Sequence, residues 1–205
     1  MADITNDDDI KIVSGTVDVP LKDLHIQYVH NVTPAELWNF DMSLANSPHV
    51  ELLKLIREKG FDWDEIWKTR YVAERLNRFK LGMNNWTRKH LKEHIKWRYE
   101  VLRSLKHHGY KAKLHITAKG KNRPVRILKE PFWKTRFGFE RDWLTGYEIW
   151  DGGGRSSAAM ALGWETIPAV ICEDRYPGSK KKGMFDKKLS MVKGVWNEVI
   201  PPIPA

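Results

Sequence analysis

Residues 146–174, GYEIWDGGGRSSAAMALGWETIPAVICED, decide the fold. Tyr147–Trp150 reads as an extended piece that runs into Asp151. Gly152, Gly153 and Gly154 follow, and Arg155, Ser156 and Ser157 open an Ala-rich helix over 156–162 that stops at Gly163. Pro168 then leads into a strand over Ala169–Cys172. The order strand, glycine loop, helix start suits an anion. Glycines carry no Cβ, so a ligand can come close to the backbone. The first amides of a helix lack internal partners and point outward, where the helix dipole favours negative charge. Arg155 adds a planar donor fork suited to phosphate, and Ser156 and Ser157 add hydroxyl donors. The plainer alternative is a glycine turn with Arg155 in a surface ion pair. The loop is not a Walker A motif, because no Lys-Ser/Thr pair follows at the required offset.

Two carboxylates beside the loop are candidates for chemistry. Asp151 can hold a metal-nucleotide or orient Arg155; equally, Asp before Gly is a common turn former. Glu148 shares a strand face with Trp150 and can serve as a base near the loop, or stand as an exposed strand carboxylate.

Working outward, Val17 and Val19 alternate with polar residues within 11–24, which predicts a short strand before a turn at Pro20. Thr33-Pro34 and Ser47-Pro48 each pair a helix cap with Pro at the first helical position. They predict helices over 33–45 and from 48 to a stop at Gly60. A further helix is expected over 62–81, with Ile66, Tyr71, Val72 and Leu76 inward. The strongest helical pattern is 87–108: Thr87 caps it, Leu91, Ile95, Leu102 and Leu105 share one face, and Gly109 ends it. Its other face carries Arg88, Lys89, Lys92, Lys96, Arg103 and Lys106, a pattern usual for a solvated face and also suited to nucleic acid. Short strands are expected at Leu114–Thr117 and Val125–Leu128, and a short helix near 186–197.

The chain has 205 residues, enough for one domain with a sizeable core, at 41% hydrophobic and 30% charged. A formal net charge of +9 favours polyanionic partners, nucleic acid or nucleotides above all. The ten Trp residues supply either core or stacking surfaces for bases. One cysteine, Cys172, excludes an intrachain disulfide and a CxxC zinc site. No apolar run is long enough to span a bilayer, and the acidic start, Asp7-Asp8-Asp9, lacks the features of a signal peptide, so a cytoplasmic protein without a membrane partner is expected.

Other residues carry weaker signals. Arg70, Arg75 and Arg78 can reach a phosphate or line a solvated helix. His90 and His94, spaced i, i+4, share a face as a zinc pair would, but Glu93 does not give the HExxH order. Lys134 and Arg136, set among Phe132, Trp133 and Phe137, suit stacked bases and phosphates, or a packing lid. Lys180, Lys181 and Lys182 suit contact with a phosphate backbone.

The segment from Asp151 resembles the ParB/sulfiredoxin superfamily. The residues that carry the resemblance are Asp151-Gly152-Gly153-Gly154-Arg155, Ala158-Ala159, Leu162-Gly163-Trp164 and Thr166-Ile167-Pro168-Ala169, with the spacing from Arg155 to Pro168 free of gaps. Val17–Leu24 resembles that family's opening strand and turn, and Val101–Tyr110 its helix end. The resemblance implies an α+β domain, a small mixed sheet flanked by helices, over 11–174. It makes 31–86 and about 117–145 insertions, with a disordered tail at 1–10 and a basic extension at 175–205. It implies that Gly152, Gly153, Gly154, Arg155 and Ser156 face the phosphates of a nucleotide triphosphate, ATP or CTP, with Mg2+. The family's Glu or Cys is Gly153 here, and its His or Arg is Gly154. A sulfiredoxin activity is rejected, since Cys172 lies on the later strand, and the tail is too short for a partitioning protein's helix-turn-helix domain. What remains is a nucleotide-binding protein associated with nucleic acid, acting as a nucleotide hydrolase, phosphotransferase or nuclease. The alternative is a non-catalytic DNA-, RNA- or protein-binding module with a degenerate nucleotide site.

Overall fold

A computed structural model describes residues 10–26, 43–80, 87–110, 124–130 and 146–175. The fold is α+β, a mixed sheet of five strands with five helices among the described residues. The strands are β1 (Ile10–Pro20), β2 (Leu24–Ile26), β3 (Val125–Leu128), β4 (Tyr147–Asp151) and β5 (Thr166–Asp174), in the order β1-β5-β3-β4-β2. β1 and β5 run antiparallel, as do β3 and β4, while β3–β5 and β2–β4 are parallel. β3 is central and buried at every position, so both its faces are covered. Three of its four residues are apolar, and the fourth, Arg126, is buried with them.

The helices are α1 (Pro48–Lys59), α2 (Trp63–Ile66), α3 (Arg70–Lys80), α4 (Arg88–His108) and α5 (Gly153–Ala161). α1 starts as its sequence dictates: Ser47 Oγ accepts from the Val50 amide, and Pro48 takes the first helical position. Thr87 and His90 form a reciprocal capping box at the start of α4. α4 buries Leu91, Ile95, Arg98, Val101, Leu102 and Leu105, a stripe at helical spacing. Its first half packs with α1, α2 and α3 in a cluster of Leu52, Ile56, Ile66, Tyr71, Val72, Leu91 and Ile95. Its second half joins the main core, where Val101, Leu102 and Leu105 meet the sheet and Ala158, Ala159 and Ala161 of α5. α4 therefore ties the helical region to the sheet. α1 does the same from the other side, and its Arg57 Nη1 donates to the Ala161 carbonyl at the end of α5.

Several elements differ from expectation. The helix expected over 62–81 is two helices. The Thr69 hydroxyl donates to the Ile66 carbonyl and accepts from the Val72 amide, closing α2 and starting α3. α5 begins at Gly153, three residues earlier than expected, because Gly152 acts as its cap. β1 and β5 are both longer than their patterns suggested, since each supplies the other with ladder partners from Ile10↔Asp174 to Pro20↔Thr166. Of the helix expected over 33–45, the described end is not helical: Ser43 bridges His25 and Leu44–Ala45 turn. Ile10, expected in a tail over 1–10, belongs to β1, and Arg175 Nε donates to its carbonyl. Residues 33–42, the expected helix 186–197, the strand Leu114–Thr117, and 1–9 and 176–205 lie outside the described residues.

β4 enters the sheet through Gly146, which has φ of 101° and sits against the turn at Leu21–Asp23. A Cβ there would collide with the Asp23 carbonyl oxygen. Gly146→Ala is expected to cost more than about 2 kcal/mol of stability, from strain and overlap together. Urea unfolding measures this, and an unchanged midpoint would contradict the placement of β4.

Candidate functional site

β4 delivers Asp151 to the open end of the sheet, and Gly152 turns the chain into α5. Gly152 has φ of 97°, a left-handed conformation that suits glycine. A Cβ on it would lie 2.9 Å from Val125 Cγ2 and 3.0 Å from Arg155 Nη2. The first intrahelical bond is Ser156 N to the Gly152 carbonyl, at 2.9 Å. The amides of Gly153, Gly154 and Arg155 precede it and have no partner within the helix. Among the described residues nothing lies within 4 Å of where a Gly153 Cβ would be. The start of α5 is thus an open, dipole-favoured position for an anion.

The side chains expected to help are placed differently. Arg155 is 6% exposed, and its guanidinium is folded into the protein. Nη1 donates to the Tyr110 hydroxyl at 3.0 Å, and Nη2 lies 3.6 Å from Asp151 Oδ2. Burial raises the Tyr110 pKa above its ordinary value, opposed by the Arg155 charge, so the hydroxyl stays protonated. Ser156 and Ser157 are fully buried. Ser157 Oγ donates to the Gly153 carbonyl at 2.6 Å, an internal helix bond. Neither hydroxyl reaches solvent, because α5 is covered nearly all round: Arg155 through Ala159 and Ala161 are buried. Small side chains let α5 pack closely there.

A different guanidinium approaches the glycines. Arg98 of α4 is 8% exposed, and its Nη1 lies 3.8 Å from where a Gly154 Cβ would be. Trp97 Cη2 lies 3.7 Å from the same point, so α4 gives this side of the loop an indole and a cation. Arg98 Nε donates to the Tyr71 hydroxyl at 2.9 Å. That hydroxyl lies 2.8 Å from His94 Nδ1, to which we assign its proton, leaving His94 neutral. Two cations lie over the Tyr71 ring, with Arg75 Cζ 5.2 Å and Arg98 Cζ 5.3 Å from its centroid. Arg75 Nη2 in turn lies 3.3 Å from His49 Nε2. Burial first, then the Arg98 and Arg75 charges, lower the His94 pKa to about 2. Within its own motif the sequence pointed to Arg155. Arg98 carries a signal of its own, a cation on the apolar stripe of α4, where burial demands a purpose.

The remaining candidates scatter. Glu148 is 1% exposed rather than a surface carboxylate. It pairs in register with His25 on β2 and Leu128 on β3, and an irregularity in the β3–β4 ladder separates it from Asp151, which pairs with Arg126. His94 is committed to Tyr71 and His90 to the α4 cap, which gives no zinc pair. No group of three or more His, Cys, Asp or Glu among the described residues could hold a metal. Arg70 pairs with Glu51 at 2.6 Å. A cleft of about 440 Å³, lined by Lys22, Asp23, His25, Lys129, Gly146 and Tyr147, lies at the other end of β4 and is separate from the loop. Lys134, Arg136, Lys180, Lys181 and Lys182 fall outside the described residues. No described helix is long and apolar enough to cross a membrane. No known protein family, curated protein or solved structure matches the chain.

The depressed His94 pKa has a signed consequence. Between pH 6.5 and about 2 the unfolded chain binds a proton at His94 that the folded chain does not. Its contribution is intact above pH 6.5, and stability falls as pH drops toward 2. The loss between pH 7 and pH 5 is on the order of 1–2 kcal/mol. Denaturant unfolding across this range checks it. His94→Gln is expected to flatten the slope by about one proton; an identical slope would contradict a neutral, buried His94.

Proposed function

We propose that the chain is a ParB-like nucleotide-binding protein associated with nucleic acid, with nucleotide phosphates held at the start of α5. The observation that carries this reading is the conjunction at one point of the first amides of a helix, at Gly153 and Gly154, the open space at Gly153 and the buried Arg98 guanidinium beside Gly154. The amides of Gly153, Gly154 and Arg155 offer donors, and Arg98 offers a fixed charge. Trp97 supplies an aromatic edge beside them. Arg155, the residue the family resemblance singled out, acts here by holding Asp151 and Tyr110 and so the shape of the loop. The ligand class is a nucleoside triphosphate, ATP or CTP, with Mg2+, which Asp151 would help to hold.

The chemistry that follows binding is phosphate chemistry, hydrolysis or phosphotransfer, in which Arg98 and the amides would offset charge developing on phosphate oxygens. Gly153 and Gly154 bring no acid, thiol or imidazole of their own. That favours the second reading, a site that binds without turning over.

Calorimetric titration with ATP, CTP and GTP, each with Mg2+, tests the proposal. Saturable binding of at least one nucleotide is expected. Gly153→Asp is the informative variant: the position is open, so the fold accepts it, and a carboxylate suits a helix start. It places negative charge where the phosphate sits, so affinity is expected to fall at least about tenfold with no loss of thermal stability. Arg98→Gln is expected to weaken binding by a similar factor. If the wild-type chain binds none of the three nucleotides, the reading is wrong. Binding without measurable turnover selects the non-catalytic alternative.

A further inference from the structure

α4 carries a second feature that the glycine loop does not use. Lys89, Lys92, Lys96, Arg103 and Lys106 are all exposed. With Tyr99 they are spaced 3, 4, 3, 4, 3, which lines them up as one stripe about 26 Å long on the helix. Exposed basic residues on a helix usually face only water. Here the stripe has an aromatic ledge beside it, built by α2 and the residue before its cap. Lys92 Nζ lies 4.9 Å from the Trp63 ring centroid and 5.9 Å from that of Trp67. Arg88 Cζ lies 5.6 Å from the Trp67 centroid. Phe61 is 37% exposed, stacks on Trp63 at 5.6 Å and sets its ring edge-on to Tyr99 at 5.1 Å.

The acidic groups nearby are mostly engaged. Glu100 accepts from Arg103, Glu65 pairs with Lys68 and Lys59, and Asp62 caps α2. With Arg103 paired to Glu100, Glu93 and Asp64 remain exposed against the four lysines Lys89, Lys92, Lys96 and Lys106 of the stripe. Cations ordered on indole faces, an exposed phenyl ring and an excess of positive charge along one line fit a chain of phosphates with unpaired bases. A duplex would meet the charges and leave the rings unused, because its base faces are stacked inside.

We infer that the Lys89–Lys106 stripe of α4, with the ledge of Phe61, Trp63 and Trp67, docks a single-stranded polynucleotide. The inference rests on the nucleic-acid side of the proposed function and not on the glycine loop. Phosphates follow the stripe, and Phe61 takes a base.

Fluorescence anisotropy tests it with a labelled mixed-sequence single strand of about 20 nucleotides and the matching duplex, over a salt series. The wild-type chain is expected to bind the single strand more tightly than the duplex. Lys89→Gln/Lys92→Gln is expected to weaken single-strand binding at least about tenfold and to reduce the salt slope by about 1.4. Phe61→Ala is expected to weaken the single strand several-fold and leave the duplex unchanged, a pattern that charge loss or misfolding would not give. Lys11→Gln/Lys22→Gln, which removes two exposed charges from elsewhere, serves as the control. No strand binding, a preference for duplex, or equal effects of the two double variants would overturn the inference. Nucleotide affinity measured on the same variants is expected to match wild type, so failure here leaves the loop's reading standing.

Discussion

The fold around the loop depends on the burial of Arg155 between Asp151 and Tyr110. One side chain joins the end of β4, the start of α5 and the residue just beyond α4. Removing either partner takes an interaction from a buried guanidinium, which is costly to leave unsatisfied. Its presence explains why Gly152 must be glycine. The chain turns left-handed there, over Val125 and against Arg155 itself, and a Cβ would fill the space that the guanidinium occupies. The geometry that opens the first α5 amides to solvent is therefore set from below, by packing. Arg155 shapes the loop, and other groups face whatever lies in it.

Arg98 occupies the complementary position. It reaches Gly154 from α4, is fixed by the Tyr71 hydroxyl and lies over the Tyr71 ring. Tyr71 belongs to α3 and His49, behind Arg75, to α1, so three helices converge on the charge that faces the glycines. Neutral His94 completes this arrangement: a protonated imidazole would add a third cation beside Arg75 and Arg98, and burial forbids it. The helical region at 43–80 is thus part of the site's support rather than an appendage to the sheet.

Much of the fold was legible in the sequence because local chemistry decided it. Ser47-Pro48 and Thr87 specify helix starts wherever the chain goes, and Leu91, Ile95, Leu102 and Leu105 mark an inner face whatever packs on it. Strand, glycine loop and helix were legible for the same reason. What was not legible depends on partners distant in sequence. β1 extends to Ile10 only because β5 lies beside it. The break at Thr69 follows from one hydroxyl choosing carbonyl and amide over solvent. The burial of Arg155, Ser156 and Ser157 follows from α5 being covered on nearly all sides, which a strand-loop-helix motif alone does not fix. Arg98 lies 57 positions from Arg155 in the chain, so no spacing rule connects it to the glycines.

The central claim is that the start of α5 binds phosphate through its amides and Arg98. Its most direct measurement is a map of backbone amide and arginine Nε resonances during titration with Mg2+-ATP and with pyrophosphate. The account predicts that both ligands shift Gly153, Gly154 and Arg155 amides and the Arg98 Nε resonance most strongly, with the Ser157 amide, deeper in the helix, moving less. Shifts centred instead on the Lys22–Tyr147 cleft, or none at saturating ligand, would contradict it.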